Sequence, residues 1–353
     1  MIALRYHGVK DVRLDEVDVP KPKADEILVK VRACGICATD QHIRETGMWM
    51  DKVPMTLGHE ASLEVVEMGE DVQGDRDFLP LKVGDIITAE DVTGCGKCYY
   101  CNRGWQNLCN NVLFPGISSE GFFSTYQVIP WNSVHKAPKG LSDLQVACAE
   151  PAAGGLHAVK NAGVKIGDTV AIFGCGPIGL FQLQAAKNAG AEVIAVDVAD
   201  FKLGVAKKLG ADIVLNGKKE DVVKYVLDYT DGFGVDVAIE SVGGIPDLVR
   251  NALAITKKRG MVTVMGLGHK TDVPIDLSGT KGLILREITL RGTVGHSFWP
   301  DAPADFKVVM KLMKRGKIDV EPIVTHKFSL RNWEEAFDLP ADKRVKVMFT
   351  EFE

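Results

Sequence analysis

Apolar positions along this chain fall into two textures that change near residue 150. Before that point, short apolar runs are broken by Gly, Pro and Asp, so that 27–33, 62–68, 85–89 and 122–129 read as strands. Closely spaced strands of this kind predict a barrel-like β domain carrying loops. After it, apolar runs at 169–173, 192–196, 212–215, 236–239, 261–265 and 288–291 are mostly separated by stretches of helical periodicity. Strands alternating with helices in this way predict an α/β fold built on a doubly wound parallel sheet of six strands. The tail beyond about residue 295 holds too few elements for a third domain and is expected to return and complete the first.

Composition narrows the function classes. The 353 residues are 46% apolar and 25% charged, enough for two domains with separate cores. No run approaches the roughly 20 apolar residues that a membrane helix needs. The opening MIALRYHGVK has no apolar signal segment, so the expectation is a cytoplasmic protein with no membrane partner. The formal net charge is −5 and basic residues are dispersed, which argues against nucleic acid and for a small-molecule ligand.

Four cysteines, Cys95-x2-Cys98-x2-Cys101-x7-Cys109, are spaced for one tetrahedral zinc ion, and Gly94, Gly96 and Gly104 allow the loop to curl around it. Disulfides compete weakly in the absence of a secretory segment. An iron–sulfur cluster is the sharper rival, but the bacterial ferredoxin run closes after three residues with Cys-Pro, whereas here Asn110 follows Cys109.

The second half opens with Gly174-Cys-Gly176-Pro177-Ile178-Gly179, directly after an expected strand and at the start of an expected helix. In that context the glycines have separate duties: Gly174 for the tight turn, Gly176 for close approach of a pyrophosphate, Gly179 for packing of helix on strand. The next strand ends in Asp197, whose carboxylate can accept from both ribose hydroxyls and would repel a 2′-phosphate, which favours NAD over NADP. Lys202 lies close enough in sequence to keep NADP in play.

The first half offers Cys34-Gly-Ile-Cys37-Ala-Thr39-Asp40-Gln-His42, Gly58-His59-Glu60 and Cys148-Ala-Glu150-Pro151. A thiolate, an imidazole and a carboxylate make a zinc site with one open position, the arrangement used for catalysis. Each has a plainer reading: Cys34 and Cys37 as a redox pair, His59 as a satisfied polar residue, Glu60 and Glu150 as a solvated face or a cap. Their joint occurrence with a dinucleotide fingerprint favours the metal site.

Over essentially its whole length the chain resembles the zinc-dependent alcohol dehydrogenases of the medium-chain dehydrogenase/reductase family. The resemblance implies a GroES-like catalytic domain over 1–153 with a structural zinc lobe at about 93–112, a Rossmann NAD-binding domain over 154–294, and a return segment over 295–353. It implies two zinc ions per chain. Cys37, His59 and Glu150 would hold the catalytic ion, with Glu60 as a neighbouring carboxylate that coordinates in some members, and the quartet would hold the structural one. Thr39 resembles the hydroxyl that contacts the alcohol, His42 the outer histidine of a proton relay, and Asp40 a structural residue. Backbone groups at Gly266, Leu267, Thr293 and Val294 would hold the nicotinamide carboxamide.

Glu150-Pro151 in place of cysteine resembles the polyol, butanediol, glucose and threonine dehydrogenases. The implied reaction is hydride transfer from a zinc-bound alkoxide, oxidising a secondary hydroxyl of a polyol, vicinal diol or hydroxy amino acid. The partners would be a small alcohol or ketone and other copies of the chain, as a tetramer or else a dimer. Within the class, an NADP-dependent carbonyl reductase or a threonine-type dehydrogenase is the alternative; outside it, a catalytically silent dinucleotide-binding protein or an iron–sulfur carrier. The chain departs from the family at Leu63, where glycine is usual, at Ile86, where arginine is common, in the long connection 70–82, and in GTVGHSFW, with His296 and Trp299 near the expected substrate pocket.

Overall fold

The computed structural model describes residues 1–353 apart from 51, 269–272, 274, 281 and 297–303, so Trp299 lies outside the described residues. Strands Thr169–Phe173, Glu192–Asp197, Ile213–Asn216, Val235–Glu240, Thr256–Val264 and Thr289–Gly292 form one sheet in which every neighbouring pair is parallel. A parallel sheet is covered on both faces, which is why its central strands are continuous apolar runs. Val170, Ala171, Ile172 and Phe173 are all buried, as are Val193 through Val196. Thr169–Phe173 lies between Glu192–Asp197 and Val235–Glu240. The strand order therefore reverses around it, and the crevice that such a reversal opens lies at the carboxyl ends, beside Phe173, Asp197 and Glu240.

A second sheet runs in the order Val324–Ser329, Lys346–Glu351, Glu26–Gly35, Glu60–Met68, Ile86–Ala89, Val134–Lys136, with Tyr126–Pro130 also paired to Glu26–Gly35. Lys346–Glu351 joins antiparallel to Glu26–Gly35 through Met348 opposite Gly35 and Phe349 opposite Cys34. Residues from the two ends of the chain thus share one β unit and one core, in which Phe123 packs edge-on against Phe337 and Phe349. Strands Ile2–Gly8, Asp11–Glu16 and Met55–Thr56 make a third, smaller sheet.

Three sequence expectations shift in detail. The run 122–129 is a strand only from Tyr126; ahead of it, Phe122 N–H donates to Gly58 O and Phe123 N–H to Leu57 O, with both rings buried. The run 261–265 is the end of a longer strand that begins at Thr256 and passes through left-handed Arg259, where the apolar pattern is interrupted. Leu63, in place of a usual glycine, is fully buried in the β core, opposite Val31 and Ile87. The long connection 70–82 is pinned by Asp75: its Oδ1 accepts from Asp77 N–H and Leu79 N–H at 2.9 Å, and its Oδ2 from Lys136 N–H at 3.0 Å.

Candidate active site and metal centres

The four-cysteine loop folds on itself through 3-10 turns at Cys101–Arg103 and Gln106–Leu108, with Gly96 and Gly104 in the left-handed region (φ 72° and 75°). All four sulfurs lie within 4.8 Å of one another. Cys98 Sγ is 3.4 Å from Cys101 Sγ and 3.8 Å from Cys109 Sγ, too far for a disulfide. A tetrahedron with Zn–S bonds of about 2.3 Å has edges of roughly 3.8 Å, so the donor set fits zinc. Backbone N–H groups of Cys95 and Asn111 donate to Cys109 Sγ at 3.3 Å. The Cys98 thiol is lowered to about 6, chiefly because Cys101 N–H donates to its sulfur, whereas burial raises Cys101 to about 12.

The second cluster is assembled from three segments. Cys37 caps the helix Ala38–Thr46, and Asp40 closes a capping box by accepting Cys37 N–H at 2.8 Å. The other oxygen of Asp40 accepts Gly58 N–H at 3.2 Å, so one buried carboxylate ties the Cys37 turn to the His59 turn. Gly58 has φ 92°, and a Cβ there would stand 2.5 Å from the Phe123 ring, which accounts for glycine before His59. Donor atoms of Cys37, His59 and Glu60 lie within 4.8 Å of one another. Thr39 Oγ1 is 3.6 Å from Cys37 Sγ, and His42 lies one turn further along the same helix. Glu60 is clasped by a buried cation: Lys346 Nζ is 2.6 Å from both of its oxygens and 3.0 Å from Ile36 O.

Electrostatics in this cluster suit a bound cation. Burial opposes a charged His59, but Cys37, Asp40 and Glu150 outweigh it and hold the imidazole well above its ordinary value. Glu150 is pushed well above the carboxylate range by burial, reinforced by Asp91 and Glu60. A divalent cation relieves such a congregation of thiol, imidazole and carboxylates, so the residues present fit a metal ion. Glu150 stands outside the group of Cys37, His59 and Glu60, at the first turn of helix Ala149–Ala162.

That helix joins the cluster to the crevice. A Cβ on Gly154, one turn after Glu150, would be 3.3 Å from Met265 Cε, 3.6 Å from Ile178 Cδ1 and 3.7 Å from Gly295 O. In the glycine loop, Gly174 has φ 102°, a Cβ on Gly179 would fall 1.8 Å from Gly174 O, and one on Gly176 would meet nothing within 4 Å. The three positions thus turn, pack and leave room for a dinucleotide. Pro177 starts helix Pro177–Asn188, whose N-cap Gly176 provides no side-chain cap, leaving its N–H groups for an anion. Asp197 is anchored: Oδ2 accepts Cys175 N–H at 2.7 Å, and Oδ1 accepts Val198 N–H at 2.7 Å and Ala199 N–H at 2.9 Å. Lys202 lies on the next helix, Asp200–Lys208, half-buried.

Gly266 packs on Gly243, where a Cβ would be 2.1 Å from Gly243 N, and Leu267 beside it is exposed. Thr293 N–H donates to Val264 O at 3.0 Å, and Val294 O accepts from Asn107 Nδ2 at 3.1 Å. His296 is buried with its Nε2 2.8 Å from Asp91 Oδ1, and its ring stands edge-on to Phe306 at 4.6 Å. Sequence reasoning singled out His296 without a partner and passed over Asp91, Asn107 and Lys346. Asp91 carried one weak signal, an acidic pair directly after the apolar strand Ile86–Ala89.

Residues 23–139 match the family described as alcohol dehydrogenase GroES-like domain, and residues 177–315 the family described as zinc-binding dehydrogenase. The chain belongs to the zinc-type alcohol dehydrogenases of the medium-chain dehydrogenase/reductase family. It is 39% identical over 342 residues to the L-threonine 3-dehydrogenase of Pyrococcus horikoshii, covering 95% of this chain and 94% of that one. Among solved structures, the 2R,3R-butanediol dehydrogenase of Bacillus subtilis aligns with a TM-score of 0.86 at 33% identity, covering 99% of both chains. A Sinorhizobium meliloti protein bound to NADP aligns with a TM-score of 0.90 at 32% identity, covering 99% of this chain and 98% of its own.

Proposed function

We propose that this chain oxidises a secondary hydroxyl on a polyol, vicinal diol or hydroxy amino acid to the ketone, with NAD as acceptor. The observation that carries the reading is helix Ala149–Ala162, which holds Glu150 within electrostatic reach of His59 and, one turn later, Gly154 against Ile178, Met265 and Gly295. A metal cluster and a dinucleotide crevice meet along one rigid element. When bound, zinc supplies Lewis acidity that lowers the pKa of a coordinated alcohol. Cys37 and His59 are its two fixed ligands. Glu150 is the third, since Glu60 is already neutralised by Lys346 and serves as the alternate carboxylate. The quartet Cys95, Cys98, Cys101 and Cys109 holds the second zinc, with no open position for chemistry.

Thr39 takes up the substrate's hydroxyl proton as it gives its own hydroxyl proton onward, and His42, one turn along the same helix, releases a proton toward solvent. A bound nicotinamide would take the carbinol hydride, one proton with two electrons, while the hydroxyl proton leaves separately, so the alcohol loses two protons and two electrons in all. Asp197 receives the adenosine ribose and opposes a 2′-phosphate; Lys202 and the NADP-bound relative keep the phosphorylated cofactor as the second reading. Among substrates, the names of the Pyrococcus and Bacillus relatives favour L-threonine and 2,3-butanediol.

The domain limits proposed above fit a cofactor unit inserted into a β unit, because Lys346–Glu351 pairs with Glu26–Gly35. Homo-oligomerisation, as a tetramer or else a dimer, is supported by the edge strand Thr289–Gly292 and the exposed Leu277, Ile284 and Leu285 near it. Among the described residues no helix is long and apolar enough to cross a membrane, and the cytoplasm is the proposed location. The test is a panel of L-threonine, diols, polyols and sugars with NAD or NADP, followed by absorbance of the reduced cofactor. Turnover of at least one substrate is expected. Tight cofactor binding with no turnover across the panel would favour a silent dinucleotide binder.

A further inference from the structure

Four consecutive residues, Thr293 to His296, bridge the two halves of the molecule. Thr293 belongs to the dinucleotide side: its N–H donates to Val264 O, and its Oγ1 accepts from Asn161 Nδ2 at 2.9 Å. Asn161 in turn lies 3.0 Å from His157 Nε2, and His157 faces Asp305. The next three residues belong to the other side. Val294 O accepts from Asn107 Nδ2 at 3.1 Å. Gly295, left-handed at φ 60°, lies beside the lobe, where a Cβ would make ordinary contact with Val92 Cγ2 at 3.4 Å and Asn107 Cβ at 3.8 Å. His296 is 2.8 Å from Asp91, with the side chains 2% and 6% exposed.

All three anchors on that side belong to the cysteine lobe or its base. Thr93 and Leu113 exchange two backbone hydrogen bonds of 2.9 Å that close the lobe. Asp91 and Val92 lie just outside this closure. Asn107 lies inside it, on the turn Gln106–Leu108 that leads into Cys109. The position of the Asn107 amide therefore depends on where the Cys109 sulfur is held. Gly295 O faces Gly154, next to Ile178 and Met265 of the crevice, so a shift of this segment is felt where the nicotinamide would lie.

We propose that the four-cysteine lobe positions the cofactor-facing segment Thr293–His296 through Asn107 and through Asp91 at its base, so that the lobe's metal sets dinucleotide affinity as well as local stability. The proposal rests on the dinucleotide-binding reading given above. Asn107 is a positioning residue: it touches neither substrate nor cofactor, and acts through the carbonyl of Val294.

The test measures NADH and NADPH binding to the purified zinc-loaded protein by fluorescence titration, with zinc counted in the same samples. Asn107→Asp keeps the shape but removes the donor, and sets a carboxylate against a carbonyl. The loss of one hydrogen bond predicts a roughly five- to tenfold weaker Kd with zinc content unchanged. Asn107→Gln, which keeps the amide, should recover part of it. In turnover, the cofactor KM should rise while kcat changes by less than about twofold, a split that general loosening would not give. Cys98→Ser, lacking the lobe zinc, should weaken binding at least as much, and adding Asn107→Asp to it should cost little more. Wild-type NADH affinity in Asn107→Asp, or fully additive losses in the double variant, would overturn the proposal. If the wild-type protein binds neither NADH nor NADPH, the dinucleotide reading itself falls and takes this one with it. Should Cys98→Ser not fold, Asn107→Asp at full zinc content decides alone.

Discussion

Lys346 and Glu60, 286 residues apart in sequence, form a fully buried pair in which one ammonium faces both carboxylate oxygens at 2.6 Å. Burial alone would lower the lysine's pKa, but Glu60 and Cys37 reverse this and keep it charged. Breaking one side of a buried pair leaves the other charge uncompensated, at about 3–5 kcal/mol. Lys346→Met should therefore lose about that much stability by urea unfolding. Adding Glu60→Gln should restore much of it; a double variant no better than Lys346→Met would refute the pairing.

The glycine loop predicts opposite outcomes for two alanines. Gly179→Ala drives a Cβ to 1.8 Å from Gly174 O and should cost about 3 kcal/mol or more in stability. Gly176→Ala meets nothing within 4 Å and has φ −71°, so its thermal midpoint should hold. Its NADH Kd should nonetheless rise at least about tenfold, because the methyl occupies space left for the dinucleotide. Equal stability losses in the two variants would contradict the division of duties.

Asp197 separates charge from scaffolding. Asp197→Asn keeps an acceptor for backbone N–H groups but removes the charge that repels a 2′-phosphate. The ratio of NADPH to NADH affinity should increase about tenfold, a shift of ~1.4 kcal/mol. An unchanged ratio would assign discrimination elsewhere, with Lys202 the first residue to test.

Cys37→Ser should abolish turnover, reduce bound metal by one ion per chain, and leave NADH binding within about threefold of wild type. Retained activity would remove Cys37 from the metal site.

In the metal-free protein the quartet should show unequal thiols. Cys98 titrates at about 6 against an ordinary 9.0, so its thiolate's contribution is complete above about pH 9 and is lost as pH falls through about 6. At about pH 7, iodoacetamide should label Cys98 ahead of Cys101, whose thiol is held at about 12. Simultaneous labelling would show that the two sulfurs are not distinguished by their backbone donors.

What the sequence made legible was local. Cysteine spacing and the glycine fingerprint carry their geometry within a few residues, and six apolar runs separated by helices are enough to specify a parallel sheet. The Asp40 capping box is also local, since Cys37 and Asp40 sit three positions apart. Lys346 was invisible because its neutralising role exists only once Met348 pairs with Gly35 and Phe349 with Cys34, a register that no short pattern encodes. Asp91 carried only the weak signal of an acidic pair, for a similar reason: His296 belongs to a segment that approaches it only when the two halves of the molecule meet. Leu63 departs from the glycine usual in the family, yet a strand opposite Val31 and Ile87 has room for a large side chain.

The arrangement of the two sheets also bears on how the molecule comes into being. The parallel sheet uses one contiguous stretch, 169–292, and can assemble from neighbours in sequence. The β sheet must wait for Lys346–Glu351 to find Glu26–Gly35, a distant closure that is slow for any chain. During synthesis the α/β domain is thus free to fold while Glu60 stands in an unfinished sheet, with Cys37 and His59 next to its strands. Glu60 meets its cation only when the return strand docks, so the full electrostatic setting of the metal pocket is among the last things the growing protein acquires.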